Sequence, residues 1–213
     1  MQRKSAILHA ANHHFAHHGF RGASLRDIAR DAGVSLTLLN HHFGSKLQLL
    51  AAVIEAHRAV LDRRATALLE VMERGPGNYT LDDLVQVWIR LGFETAAQPE
   101  GEMFLRLVTR VIDDPTEEAV QVVREKLDDA ALVFIDGLQQ IYPDATRYAA
   151  ASAYIFVSAA MLKFLVSSKR LFRLARASLP NHAQSEDEAR LSRFLVAGIE
   201  AALSQPEEQR QRA

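Results

Sequence analysis

Five histidines stand within the first eighteen residues: His9, His13, His14, His17 and His18. On a helix, His9, His13 and His17 share one face and His14 and His18 another, at the i, i+4 spacing that lets two imidazoles hold one metal ion. No carboxylate or cysteine in the stripe completes a shell, and the imidazoles are spread over two faces. The cluster therefore reads as a solvated or polyanion-facing helix surface, and no metal or other cofactor is expected.

A second group carries a different chemistry. Ser24, Arg26, Ser35, Leu36, Thr37, Asn40, His41, His42 and Lys46 fall within SLRDIARDAGVSLTLLNHHFGSK, residues 24–46. Hydroxyls and backbone N–H groups at a helix N-terminus suit a phosphate, because unpaired donors and the helix dipole converge there. Asparagine can pair bidentately with adenine, and Thr or Leu methyls can sit on thymine methyls. Catalysis has no comparable foothold. The chain has no nucleophile–base–acid constellation, no Gly-rich phosphate loop and no HExxH.

Such side chains need a scaffold. Leu25, Ile28 and Ala29 recur at the i, i+3, i+4 spacing of a short helix, with Ser24 as N-cap and Asp27 as a shortened capping-box partner. Ala32-Gly33 ends that helix, since glycine accepts the positive φ of a tight turn. Val34 then turns inward and Ser35 caps a second helix, Leu36 to His42. Leu39 and Phe43 must face the core, which leaves Leu36, Thr37, Asn40 and His41 outward. Two short helices joined by a tight Gly turn are a helix-turn-helix, whose second helix enters the DNA major groove.

The stretch resembles the DNA-binding domain of TetR-family regulators. Ser24, Ile28, Ala29, Ala32, Gly33, Val34, Ser35, Leu39, His42, Phe43, Lys46 and Leu49 match that pattern in register. The departures are Ser24 for threonine, Thr37 at a position usually small, and Asn40 for tyrosine. The resemblance implies base reading by residues 36, 37 and 41, with His42 and Lys46 on the DNA backbone. It also implies an effector held by the helical body and a dimer formed through its last two long helices.

Composition agrees with a folded regulator. Forty-eight per cent of the 213 residues are apolar, enough for a sizeable core, and there is no cysteine to form disulfides or thiolate metal sites. The net charge of −1 hides an asymmetry: residues 1–50 hold six Lys/Arg against two acids, and seven of the nine histidines. A basic, His-rich end suits phosphate. No signal segment and no run of about 18 apolar residues is evident, so a cytoplasmic protein is expected.

The remaining periodicity is helical. Residues 3–18 form a first helix with Ile7, Ala11 and Phe15 on one stripe, closed by Gly19. Ser45 and Gln48 form a capping box for a helix expected to run unbroken from about Lys46 to about Met72, a rod of roughly 40 Å. Helices follow over 81–97 and 102–112. A single helix starts at Asp114-Pro115, with Asp as cap, and runs to Tyr142. The segment from about 144 to 168 is apolar almost all round and asks for cover on both sides. With the last helix, about 186–204, it is the expected homodimer surface. Lys169 to Arg176 is a basic stretch leading to a polar loop.

The expected fold is all-α. Residues 1–46 form the helix-turn-helix domain, 47–204 a larger effector-binding and dimerisation domain, and 205–213 a disordered charged tail. Trp88, Met103, Phe104, Arg106, Arg110, Phe134 and Tyr154 are the candidate effector contacts, with Arg106 or Arg110 turned inward to an acidic group. The reading is a dimeric, ligand-responsive repressor of a palindromic operator in double-stranded DNA, released by a small, largely apolar effector. The alternative is a DNA-binding architectural or protein-interaction factor of the same fold without a small ligand.

Overall fold

The computed structural model describes residues 2–176 and 184–204. Among them every regular element is a helix: α1 (Gln2–Gly22), α2 (Leu25–Asp31), α3 (Leu36–Phe43), α4 (Lys46–Glu55), α5 (Arg58–Met72), α6 (Leu81–Ala96), α7 (Gly101–Ile112), α8 (Glu117–Lys126), α9 (Asp128–Ile141), α10 (Arg147–Leu165), α11 (Ser168–Ala175) and α12 (Gln184–Leu203). The all-α expectation holds. The tail expected over 205–213 lies outside the described residues.

Packing divides the chain into two compact units, one of Met1–Asp62 with Thr95–Asp129, the other of Arg63–Glu94 with Ala130–Ala213. This division differs from the one expected at residue 46. The reason lies in the apolar faces: α1 and α4 do not close a core with α2 and α3 alone, and bury their stripes on α7 and α8 as well.

In the first unit Ile7, Ala11 and Phe15 of α1 are fully buried, as their spacing requires. Gly19, at φ 69°, interrupts the helical geometry, and the chain continues to Gly22 with Phe20 folded back so that its ring lies 6.3 Å from that of Phe15. Ile28, Leu39, Phe43, Leu49, Leu50 and Ile54 fill the space beneath, closed by Leu107 and Val111 of α7 and Ala119 and Val122 of α8. Buried leucines and isoleucines of this kind contribute about 1.5–3 kcal/mol each, which is what holds two short helices that could not persist alone.

The expected rod from 46 to 72 is in fact two helices. α4 closes at Ala56, whose N–H reaches both Ala52 O and Ile54 O, and the N–H of His57 bonds Ile54 O at 2.9 Å. The break lets His57 leave the helical register and lay its ring on Phe104, while Leu49, Leu50, Val53 and Ile54 stay in the first core. The helix expected from Asp114 to Tyr142 also divides, at Leu127, where φ and ψ are −119° and −24°. Its N-cap is Thr116, whose hydroxyl accepts from Ala119 N at 3.3 Å; Asp114 instead accepts from the Thr116 N–H and hydroxyl at 3.0 and 2.7 Å. The basic stretch after 168 is helical, as α11.

In the second unit, close approaches at two glycines set the spacing. A Cβ at Gly137 would stand 2.9 Å from the Leu84 side chain, and one at Gly92 only 2.5 Å from the Met161 sulfur, so side chains of α6 and α10 occupy the space that each glycine leaves open. Tyr79 donates its hydroxyl proton to Gln140 Oε1 at 2.9 Å, with the Gly137 carbonyl 3.2 Å away as the other acceptor in reach. α10 packs on α12 with Ala150, Ala153, Val157 and Met161 buried. Its other side is apolar too: Tyr148 is 84 % exposed and Phe156 63 %, and Phe194 of α12 is 70 % exposed. By length and composition alone Arg147–Leu165 resembles a membrane span, a test that the core helix of a globular protein meets as well.

Candidate nucleic-acid interface

Three caps fix the helix-turn-helix. Ser24 Oγ accepts from Asp27 N at 3.4 Å, Ser35 Oγ from Leu38 N at 3.1 Å, and Ser45 and Gln48 form the full capping box at 3.1 and 2.9 Å. Gly33, at φ 65°, makes the turn, and the Val34 N–H returns to Ala29 O at 2.9 Å. The hydroxyls of Ser24 and Ser35 accept from backbone and keep their own O–H for an incoming phosphate.

The buried pair Leu39 and Phe43 decides which face α3 shows. Thr37, Asn40, His41 and His42 are exposed, and Leu36 is half-buried. A donor–acceptor set and a methyl therefore stand together on one short helix, as base-edge recognition needs. His41 and His42 lie edge to face, centroids 5.8 Å apart.

The cations differ in their engagement. Arg26 is exposed. Arg30 is held by Asp27 at 2.7 Å and Asp31 at 3.1 Å, and the hydrogen bond to Asp31 leads in raising its pKa and leaves less of it for phosphate. Lys46 donates to the Arg21 carbonyl at 3.1 Å and rests 5.0 Å from the Phe20 ring; burial lowers its pKa, against the pull of Asp114. It anchors the domain with two protons still to offer. Sequence reasoning missed Lys4, whose ammonium lies 5.7 Å from the Phe43 ring and so brings a charge from α1 to the end of α3. Its place one turn before Ile7 on the same stripe was the available signal.

The histidines of α1 separate into roles. His14 bonds Asp31 at 2.7 Å and, with Arg30, holds that carboxyl below its usual range, tying α1 to α2. His9 Nδ1 and His13 Nε2 face Glu100 Oε2 at 3.6 and 3.2 Å. The acid that the helix lacks thus comes from the loop before α7, and the ground for setting a metal aside does not hold in three dimensions. The three ligand atoms lie within 4.8 Å of one another and could hold a cation, on an exposed surface.

The candidate effector contacts fall into two groups. In the first unit Phe104 is buried against His57, Met103 is half-buried, Arg106 runs back to Glu102 at 2.7 Å, and Arg110 is exposed. Neither arginine is the inward-turned guanidinium the sequence suggested. In the second unit Trp88, Phe134 and Tyr154 come together, with ring centroids 5.4 Å (Trp88–Phe134), 5.3 Å (Trp88–Tyr154) and 6.1 Å (Phe134–Tyr154) apart. The inward guanidinium is Arg64, 4.7 Å from the Trp88 ring. It was legible as a charged residue on the apolar stripe Leu61, Arg64, Leu68, Val71, at i, i+3, i+7, i+10.

Comparison with known proteins gives this geometry its setting. Residues 7–53 match the family model described as bacterial regulatory proteins, tetR family, and residues 88–198 the model described as tetracyclin repressor-like, C-terminal domain. The chain is 43% identical over 74 residues to the HTH-type transcriptional regulator BetI of Agrobacterium fabrum, covering 35% of each chain. It is 41% identical over 56 residues to the HTH-type transcriptional activator FasR of Mycolicibacterium smegmatis, covering 26% of each. The chain thus spans about a third or less of the length of these two relatives. In fold it is similar to the fatty acid degradation regulator FadR from Bacillus halodurans, with 15% identity, TM-score 0.61, and 91% and 98% of the two chains covered. These relatives are transcriptional regulators and not enzymes. The two family models together span the helix-turn-helix and the helical body, and the chain belongs to the TetR family of transcriptional regulators.

Proposed function

We propose that the protein is a dimeric, ligand-responsive repressor, acting in the cytoplasm on a palindromic operator and released by a small, largely apolar effector. The observation that carries the reading is α3: Thr37, Asn40 and His41 stand exposed on a helix whose orientation Leu39 and Phe43 fix from below. Ser24, Arg26, Ser35 and His42 supply phosphate contacts around it, with Lys46 contributing from its anchored position, and Leu36 meets the groove at the helix start. The exposed apolar side chains of α10 and α12 support pairing of two copies. A two-fold pair would present its recognition helices about 34–36 Å apart, the spacing of successive major grooves.

Fluorescence anisotropy on the promoter DNA beside the protein's own gene tests this. Wild type should bind two protomers per palindrome, with affinity falling steeply as salt rises. Thr37→Ala with His41→Ala should weaken specific binding by about 1–3 kcal/mol for each base-reading side chain removed. Weak binding, indifferent to DNA sequence and to the double substitution, would refute it.

A further inference from the structure

Arg64 has no task in the DNA-binding reading. Its Nε is buried without a hydrogen-bond partner, and so is Nε1 of Trp88, the residue its guanidinium covers. Two N–H donors are thus left without an acceptor at one place, beside Tyr154, whose pull on the Arg64 charge opposes the effect of burial. The neighbouring ion pairs pass Arg64 by: Arg58 is taken by Asp62 and Asp129, and Arg63 by Glu94. Among the described residues no carboxylate lies within ion-pair distance of it.

Folded cores rarely leave such donors unpaired, because a buried N–H without an acceptor costs more than a cation–π contact returns. Burial pushes the Arg64 pKa down to about 10, so the group is still a cation at neutral pH. Beside it the rings of Trp88, Phe134 and Tyr154 offer an apolar bed. A guanidinium matches a carboxylate in planar, bidentate fashion, and the indole N–H adds a further donor.

We propose that Arg64 and the Trp88 indole N–H form the anion-recognising end of the effector site, and that the effector is a carboxylate with a flat or aliphatic body resting on Phe134 and Tyr154. The proposal rests on the effector-responsive reading above and names the chemical class of that effector.

Trp88 is the only tryptophan in the chain, so its emission reports on this site alone. The full-length protein is titrated with naphthoate and decanoate, and with the corresponding uncharged amides. At least one carboxylate should change Trp88 emission saturably, with its amide about tenfold weaker or worse, the factor expected when one charge-assisted pair is missing. Arg64→Met should abolish that preference while melting at or above the wild-type temperature, since a half-buried guanidinium with an orphaned Nε–H is replaced by an apolar side chain. Equal binding of acid and amide, no saturable response to either carboxylate, or an Arg64→Met protein that melts well below wild type would each overturn the proposal. Operator binding by the ligand-free protein is measured on the same sample. Its absence would sink the regulator reading, whereas the Trp88 titration stands or falls by itself.

Discussion

The imidazole of His57 lies flat on the ring of Phe104, with centroids 3.9 Å apart and planes 17° from parallel. Burial lowers the pKa of His57 below its ordinary 6.5, against a smaller opposing pull from Glu100. Below pH 6.5 the unfolded chain accordingly takes up a proton that the folded chain refuses. Stability present above that pH is lost as the pH falls, until the folded imidazole protonates as well.

His57→Phe keeps a ring on Phe104 and removes the titration. Its melting temperature, followed from about pH 7.5 to about pH 5.5, should decline less steeply than that of wild type. Because the two proteins differ at one residue, the difference between the two curves isolates His57. Parallel curves would mean that the stacked ring is not what resists protonation.

Gly101 opens α7 at a point where the backbone of Thr95 leaves no room. A Cβ there would land on the Thr95 carbonyl oxygen, and backbone cannot swing aside as a side chain can. Gly101→Ala should cost several kcal/mol, on the order of 3 or more, read as a fall in melting temperature of about 10 °C. A near-neutral substitution would show that the 95–101 loop is free to relax.

Gln48 closes the capping box of α4 by accepting the Ser45 N–H at 2.9 Å. Gln48→Ala should cost about 1 kcal/mol, as removal of a helix cap does elsewhere, and should loosen operator binding because α3 ends only two residues before Ser45. Thermal melting and anisotropy separate the two effects.

Phe156 and Phe194 lie on the bare sides of α10 and α12. If that surface joins two copies, Phe156→Glu or Phe194→Glu would bury an unpaired carboxylate and weaken association at least about a hundredfold. Light scattering at micromolar protein should then give a monomer. A dimer undisturbed by both changes would locate the interface elsewhere.

The helix-turn-helix was legible because each of its devices is local. Ser24, Gly33, Ser35 and Ser45 act within four residues of themselves, and Leu39 and Phe43 are read from spacing alone. The break at Ala56–His57 was not legible, since no Gly or Pro marks it and the ring that His57 meets there, Phe104, lies 47 positions away. Glu100 was missed as a partner of His9 and His13 for the same reason. The arginines differ in another way: Arg106 and Arg110 lie one turn apart after Glu102, and Arg106 pairs with that acid, whereas Arg64 is a charge set into an apolar stripe.

The half-covered α10 has a consequence for how the gene would respond to supply. If two copies must meet before either reads a half-site, the amount of competent regulator follows the square of monomer concentration while monomers predominate. Halving synthesis would then cut that amount to about a quarter, and the promoter would open more abruptly than the protein is diluted. A threshold of this kind needs no effector at all: it is set by how many copies a dividing cell hands on.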